Sequence, residues 1–381
     1  MWIRITREAM LQALRQTGKA VSAHPVIPLL TGLHISVQAE EVRLTASNMA
    51  MTIEVSIQND PQSDLAVGQT GALVVPAKIL QNIIQRLDPG WLTMESDDHN
   101  RIVITSGHSR FRLQGVDPGS FPIIPSIRDS GSTSFDVPAV PFRAAIRQVL
   151  IATSASETRS VFTGVSATFR DHSLELMATD GVQLAHRVIP LSGRVSSESI
   201  VIPSKTLSEL YKLIGEEDER IHIEANAKSI LFRNGRLQLL SALLEGSMPV
   251  MTKLVPASFQ TEIRLKSEAL LRAVERVSVL ANSSIIRLTL ENDRLKLFSK
   301  TAEIGEVVDE VELQYAHGEH FAIALNGLFL TEIIRCIGTE HVSLQLTGSR
   351  CPVVIIPIQE PRDALFILTP VLTSQYENKP A

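Results

Sequence analysis

The chain has 381 residues, a formal net charge of −5 at pH 7, and 44% hydrophobic and 20% charged side chains. It is too long for a single core and reads as two or three soluble globular domains, and no apolar run reaches the roughly 18 residues of a membrane span. An acidic total also excludes a uniformly basic nucleic-acid module, while leaving the distribution of charge open.

The N-terminal MWIRITREAM lacks the apolar core of a signal peptide, so a cytoplasmic protein is expected. Cys336 and Cys351 stand alone, without a second pair to complete a zinc site, and are expected to be buried free thiols. Residues 7–20 place Met10, Leu11 and Leu14 at helical spacing. Pro25 and Pro28 then break the chain into a loop. Alternating segments at 33–37, 42–46 and 52–57 read as antiparallel strands. A helix at 76–87 follows, then the strands WLTMES, RIVITS and SRFRLQG separated by turn residues. The next helix, within 136–150, turns Phe142, Ile146, Val149 and Leu150 inward. After it come a buried strand ending at Pro203 and a helix with Leu207, Leu210, Tyr211 and Ile214 on one face. Strands IHIEA, SILFR and RLQLLSALL close this section. From residue 258 a strand leads into a helix that buries Leu270, Leu271, Val274 and Val277. Strands at 285–291, 294–300 and 304–313, a helix at 326–337 and the segments VSLQLT, VVIIP and LFILTPVL complete the pattern. The polar SQYENKPA is expected to be a frayed tail.

One unit recurs. A buried strand, then Pro76, Pro203 or Asn326, then an amphipathic helix, appears three times at spacings of 127 and 123 residues. Thr31-Gly32 returns as Thr163-Gly164, Ala46-Ser47-Asn48 as Ala178-Thr179-Asp180, and PGSFP as EGSMP. A fixed period means a copied folding unit. The expected architecture is α+β, with three similar domains at 1–125, 126–255 and 256–381, each with two helices on antiparallel sheets. No linker is rich enough in Gly or Ser to let them swing freely.

The arithmetic gives six helices in equivalent positions, and their polar faces carry Arg15 and Lys19, Lys78 and Arg86, Arg143 and Arg147, Lys205 and Lys212, Arg272 and Arg276, and Arg335. Glu209, Glu275 and Glu332 interrupt them, but bases predominate. A single charged helix face is ordinary solvated surface. Six in register suggest a basic wall suited to the phosphates of duplex nucleic acid, contacted without reading sequence. No aromatics interleave with the bases, which disfavours stacking on single strands.

VPAKIL, TSASETRSVFTGV at 153–165, LMATDGVQLA at 176–185, VIPSKTLSEL, SKTAEIGEV at 299–307 and the closing ILTPV, in this order and spacing, resemble the β subunit of bacterial DNA polymerase III, the sliding-clamp family. The resemblance spans residues 1–373. It implies half of a head-to-tail dimeric ring of DNA-clamp fold around duplex DNA, a processivity factor for replicative polymerase with no cofactor. Beyond the helix bases, it adds His24, Ser160 and Val161 as DNA contacts. It implies a pocket for short linear peptides of the polymerase, the clamp loader and repair or translesion proteins. The pocket would be walled by Phe162, Thr179, Gly181, Val182, Gln183, Leu184, Pro249, Lys253, Leu254, Pro352, Ile367, Thr369, Pro370, Val371 and Leu372. It further implies a dimer contact of Phe111 and Leu113 with Val279 and Leu280 of a second copy. Val182-Gln183 replaces the family's common His-Arg, and Met248, Lys253, Leu372 and His24 stand where an aromatic or arginines are frequent. The alternative is therefore a divergent paralogue with altered partner or DNA affinity, acting as scaffold or resistance form.

No GxxxxGK[ST], HExxH or GxSxG motif is present and the ten histidines lack paired ligand spacing. An accessory, non-catalytic role is expected. A hydrolase on a clamp-like scaffold is the remaining different class, with Asp180 as its imaginable base, although Asn48 at the repeated position points to a turn role instead.

Overall fold

A computed structural model describes residues 1–22, 27–121, 132–248, 255–256, 258–281, 284–291, 293–301 and 304–372. The first copy of the repeat contains β1 (Trp2–Thr6), α1 (Arg7–Thr17), β2 (Gly32–Val37), β3 (Glu41–Ser47), β4 (Met51–Gln58), β5 (Ala66–Gln69), β6 (Gly71–Pro76), α2 (Ala77–Arg86), β7 (Trp91–Ser96), β8 (Arg101–Ser106) and β9 (Ser109–Gln114). The second contains β10 (Thr133–Pro138), α3 (Ala139–Leu150), β11 (Gly164–Thr179), β12 (Gln183–Pro203), α4 (Ser204–Leu213), β13 (Arg220–Ala225), β14 (Ser229–Asn234) and β15 (Leu237–Ala242). The third contains β16 (Thr261–Lys266), α5 (Ser267–Ser278), β17 (Ile285–Glu291), β18 (Arg294–Thr301), β19 (Gly305–Glu312), β20 (Tyr315–Gly318), β21 (Ala322–Asn326), α6 (Gly327–Ile337), β22 (His341–Leu346), β23 (Val353–Pro357) and β24 (Ala364–Leu368).

The three copies share one register. Gly32 lies opposite Pro76, Gly164 opposite Pro203 and Ile285 opposite Asn326, so each strand that follows the first helix pairs with the strand that leads into the second. The reverse exchange also holds, because β1 pairs β7, β10 pairs β13 and β16 pairs β22. Each half of a copy thus lends its leading strand to the other half's sheet. The repeated Thr-Gly has a packing cause: a Cβ on Gly32 would collide with Val74 Cγ1, and one on Gly164 would lie 2.7 Å from Val201 Cγ1. Only glycine lets the two strands approach at that point.

The chain divides into two compact units, residues 1–139 with 209–243, and residues 140–208 with 244–381. The first unit holds a five-stranded sheet, β5-β1-β7-β8-β9, and an eight-stranded sheet, β10-β13-β14-β15-β4-β3-β2-β6. The second holds a seven-stranded sheet, β11-β12-β24-β23-β22-β16-β20, and a four-stranded sheet, β19-β18-β17-β21. The middle copy contributes strands to both units. Every pairing between named strands is antiparallel.

The expected helix stripes are buried, with Met10, Leu14, Phe142, Ile146, Leu207, Leu210, Leu270 and Val274 all nearly inaccessible. Leu150 and Leu271, expected inside, are half-buried because each lies at the margin of its helix's apolar stripe. Burial pushes the Cys336 thiol up to about 12. Cys351 departs from expectation: it is exposed, in the turn between β22 and β23. Within LFILTPVL, β24 ends at Leu368 and lies between β12 and β23; Pro370 falls beyond the strand, where it removes no ladder bond. The SQYENKPA segment lies outside the described residues. No described helix is long and apolar enough to cross a membrane.

Candidate functional site

The predicted bases sit on helix surfaces, but most are already engaged. Lys19 approaches Glu209 at 3.5 Å, Lys212 approaches the same carboxylate at 2.8 Å, Arg276 meets Asp309 at 2.6 Å and Arg335 meets Glu275 at 2.6 Å. Arg272 pairs with Glu268 one turn earlier, and Arg86 donates to the Asn82 carbonyl. Arg147 donates to the carbonyls of Arg335 and Cys336 at 3.1 and 3.4 Å. Arg143 is half-buried. Arg15, Lys78 and Lys205 are exposed and make no ion pair among the described residues. The excess of bases read from the sequence is therefore partly neutralised in place, since acids on the same helix, on a neighbouring helix or on a neighbouring strand face the same groups. Ser160 and Val161 lie in a 3-10 turn over Glu157–Thr163, Ser160 exposed and Val161 half-buried. His24 lies outside the described residues.

In the second unit, β12 joins β24 with Gln183 opposite Leu368 and Leu184 opposite Ile367. This pairing brings together most of the residues expected to receive peptides. Leu184, Val354 and Ile367 form an apolar cluster with Met177, Val255, Phe259, Ile356 and Leu365 packed against it. The turn that delivers Leu184 is held by Asp180, whose Oδ1 accepts the amides of Val182 and Gln183 at 2.7 and 2.8 Å. Asn48 accepts those of Ala50 and Met51 at 3.2 and 2.8 Å in the same manner, so the turn role of Asp180 holds. Thr179 donates to the Gln183 carbonyl at 2.7 Å, and Gln183 Nε2 to the Ile151 carbonyl at 2.8 Å. Thr179 and Gln183 are nearly inaccessible and position the turn from beneath. Gly181 serves by its φ of 93°, because a Cβ there would meet nothing within 4 Å. Val182 is left 42% exposed, and its carbonyl accepts both the amide and the hydroxyl of Thr369 at 2.9 Å.

Beyond β24, the Val371 amide donates to the Ala324 carbonyl at 2.8 Å. Pro352, Pro370 and Val371 are half-buried, and Leu372 is 73% exposed. Phe162 is half-buried beneath Arg159, whose guanidinium lies 5.7 Å from the ring centroid. Sequence reasoning missed Arg159, although it stands three residues before the Phe162 that it covers. It also missed Val255 and Phe259, which carry no motif and are placed by the chain's return over the sheet. Pro249, Lys253 and Leu254 lie outside the described residues.

Phe111 and Leu113 are half-buried on β9, an edge strand on which no residue is fully buried. Val279, just past α5, is 80% exposed and Leu280 is half-buried. None of the four is core.

Family models for the N-terminal, central and C-terminal domains of the DNA polymerase III β subunit match residues 1–125, 136–250 and 252–368. The β sliding clamp of Staphylococcus epidermidis is 32% identical over 358 residues, covering 93% of this chain and 94% of that one. The DNA polymerase sliding clamp of Bacillus subtilis superposes with a TM-score of 0.93 at 27% identity, covering 98% of this chain and 99% of its own. The DNA polymerase III β chain of Streptococcus pneumoniae gives 0.93 at 26% identity, covering 98% and 100%. The copied unit, its three registers and these likenesses agree over nearly the whole length, and the chain belongs to the bacterial DNA polymerase III β subunit family, the sliding clamps that act as processivity factors in DNA replication.

Proposed function

We propose that two copies of this chain close head to tail into a ring around duplex DNA and tether replicative polymerase, clamp loader and repair proteins through the Leu184–Ile367 pocket. One observation carries the reading. The strand that ends the first half of a copy pairs with the strand that ends the second half of its neighbour, twice within the chain: β4 with β15, and the start of β12 with β24. The remaining members of the two series, β19 and β9, stand at open sheet edges. A second copy supplies the missing partner of each through a head-to-tail contact of unlike surfaces, and the ring forms with two copies when the second contact returns to the first chain.

The edges are complementary. β9 exposes Arg110 and Arg112 around Phe111 and Leu113, whereas β19 exposes Glu306, Glu310 and Glu312 around Val308. Val279 and Ile304 add apolar area beside β19, at 80% and 70% exposure. Domain limits at 1–125, 126–255 and 256–381 fit this scheme. Among the bases, Arg15, Lys78 and Lys205 are exposed and make no ion pair among the described residues, whereas Lys19, Lys212, Arg272, Arg276 and Arg335 must exchange a carboxylate partner to meet a phosphate. A cytoplasmic site and an accessory rather than catalytic role follow from the same reading.

Sedimentation should give twice the 41.8 kDa chain mass, and protein loaded on nicked circles should be retained and then released when the circle is cut. Phe111→Asp should give monomers that are not retained. Replacing Arg15, Lys78 and Lys205 together by Ala should lower the salt slope of DNA binding by about 0.9 for each phosphate left unneutralised. A monomeric wild-type protein, or equal retention on circles and linear DNA, would overturn the ring and favour a scaffold paralogue.

A further inference from the structure

The helix pairs flanking the two strand junctions differ. At the β12–β24 junction, α3 meets the C-terminal end of α6. Arg147 donates to the carbonyls of Arg335 and Cys336, and Gln148 Nε2 donates to those of Cys336 and Ile337 at 2.9 and 3.3 Å. These bonds satisfy carbonyls that a helix leaves open and place a cation at its negative end. By the repeat, Arg15 and Gln16 of α1 correspond to Arg147 and Gln148, and Leu213 of α4 to Cys336.

At the β4–β15 junction, neither counterpart makes such a bond among the described residues. A cavity of about 400 Å3 opens there instead, between α1 and the end of α4. One stripe of α1, made of Ala9, Gln12, Ala13 and Gln16, forms a wall, and the alanines leave it hollow. Leu213 and Gly215 also line it, with Asp60 and Asp218. The Asp218 carboxylate accepts the Gly215 amide at 2.6 Å and the Asn234 side chain at 2.5 Å, both on Oδ2. Arg236 is the one cation in the lining, and it is bound to Asp60 at 2.6 Å.

We propose that this cavity is a binding site for an alkyl-guanidinium or alkyl-ammonium group, which donates to the end of α4 and to Asp218 as Arg147 and Gln148 donate to the end of α6. The cavity combines a helix C-terminus, amide oxygens of Gln12 and Gln16 and two carboxylates against a single neutralised arginine, so its field favours a cation carrying several N–H donors. The group arrives either on a free small molecule or on a side chain of another protein.

Isothermal titration of the full-length protein with agmatine, 1,4-diaminobutane, N-acetyl-arginine amide and neutral n-butylurea tests this. The expected result is saturable binding of the cations at one site per chain, with n-butylurea silent. Asp218→Asn and Gln16→Ala should each weaken it, the former about tenfold as a charge-assisted bond is removed. Binding of N-acetyl-arginine amide without agmatine would support the site and assign its source to a protein side chain. Failure of wild-type protein to bind any cation, or binding indifferent to Asp218→Asn, would overturn the assignment.

Discussion

The β4–β15 and β12–β24 junctions have the same backbone and different surfaces. In the first, the Ala242 amide donates to the Ala50 carbonyl at 2.9 Å; in the second, Thr369 donates to Val182 at 2.9 Å. Both are delivered by a turn closed on an Asx side chain. The outer face then diverges. Thr45, Thr52 and Glu54 occupy the positions of Met177, Leu184 and His186, and Thr45 is hydrogen bonded to Glu54 at 3.1 Å. One junction is a polar seam and the other carries an apolar cluster. Backbone duplication set the geometry of both, and a few side chains set the polarity of each.

The largest difference should appear when the charge pair that crosses each junction is cut. Arg187 donates to Asp363 at 2.8 Å, and its side chain is only 7% exposed. Asp363→Ala leaves that guanidinium buried and unpaired, which should cost about 3–5 kcal/mol in denaturant unfolding. The Arg236–Asp60 pair at the other junction is more open, with its arginine side chain 44% exposed, and Arg236→Ala should cost well under half as much. Equal losses would mean that burial does not distinguish the junctions.

Next in size is the effect on partner binding. Val371→Asp places a carboxylate just beyond the strand that carries Ile367 and should weaken binding of an apolar peptide at least tenfold while leaving the dimer intact, because desolvating that charge opposes burial of the ligand. Ala50→Asp, on the turn of the polar seam that matches the Val182 turn, should leave peptide affinity unchanged. Fluorescence anisotropy with one labelled peptide checks both, and a loss in Ala50→Asp would show that the two junctions do not act separately.

Much of this contrast was legible in the amino-acid order. Helical spacing of Met10, Leu11 and Leu14 and the alternation of 52–57 survive because each element buries one face, and the copied Pro76, Pro203 and Asn326 mark the same register position. The leading strands were less visible. β1 is five residues long and abuts a helix, and its partner Glu95 lies 93 residues from Trp2, so no local pattern announces the pairing. The exchange of strands between half-copies is likewise a non-local fact. Charge was misjudged for a related reason: Arg276 reads as a free base until β19 brings Asp309 to it. The cavity beside α1 had no sequence signal, because Gln16 and Gln148 are the same residue type in two different settings.

A smaller effect separates those glutamines. Gln148→Ala removes donors from two buried carbonyls and should cost about 1–3 kcal/mol, whereas Gln16→Ala should change stability by less than about 0.5 kcal/mol. Denaturant unfolding of the two single variants checks this.

The smallest difference concerns pH. The Ser63 amide, first among its partners, and Arg236 hold the Asp60 carboxyl at about 2, below its usual value near 4. A carboxyl with a depressed folded value stabilises the fold above its unfolded value and loses that contribution as pH falls through the folded one. The β4–β15 junction should therefore keep this contribution at neutral pH and lose it progressively between about pH 4 and pH 2. Amide exchange at Gln62 and Ser63, which donate to Asp60 at 2.9 and 2.8 Å, reports the change locally. In Asp60→Asn that pH dependence should vanish, since the amide oxygen still accepts both bonds and carries no titrating proton. Persistence of the same acid transition in the variant would place its origin elsewhere in the first unit.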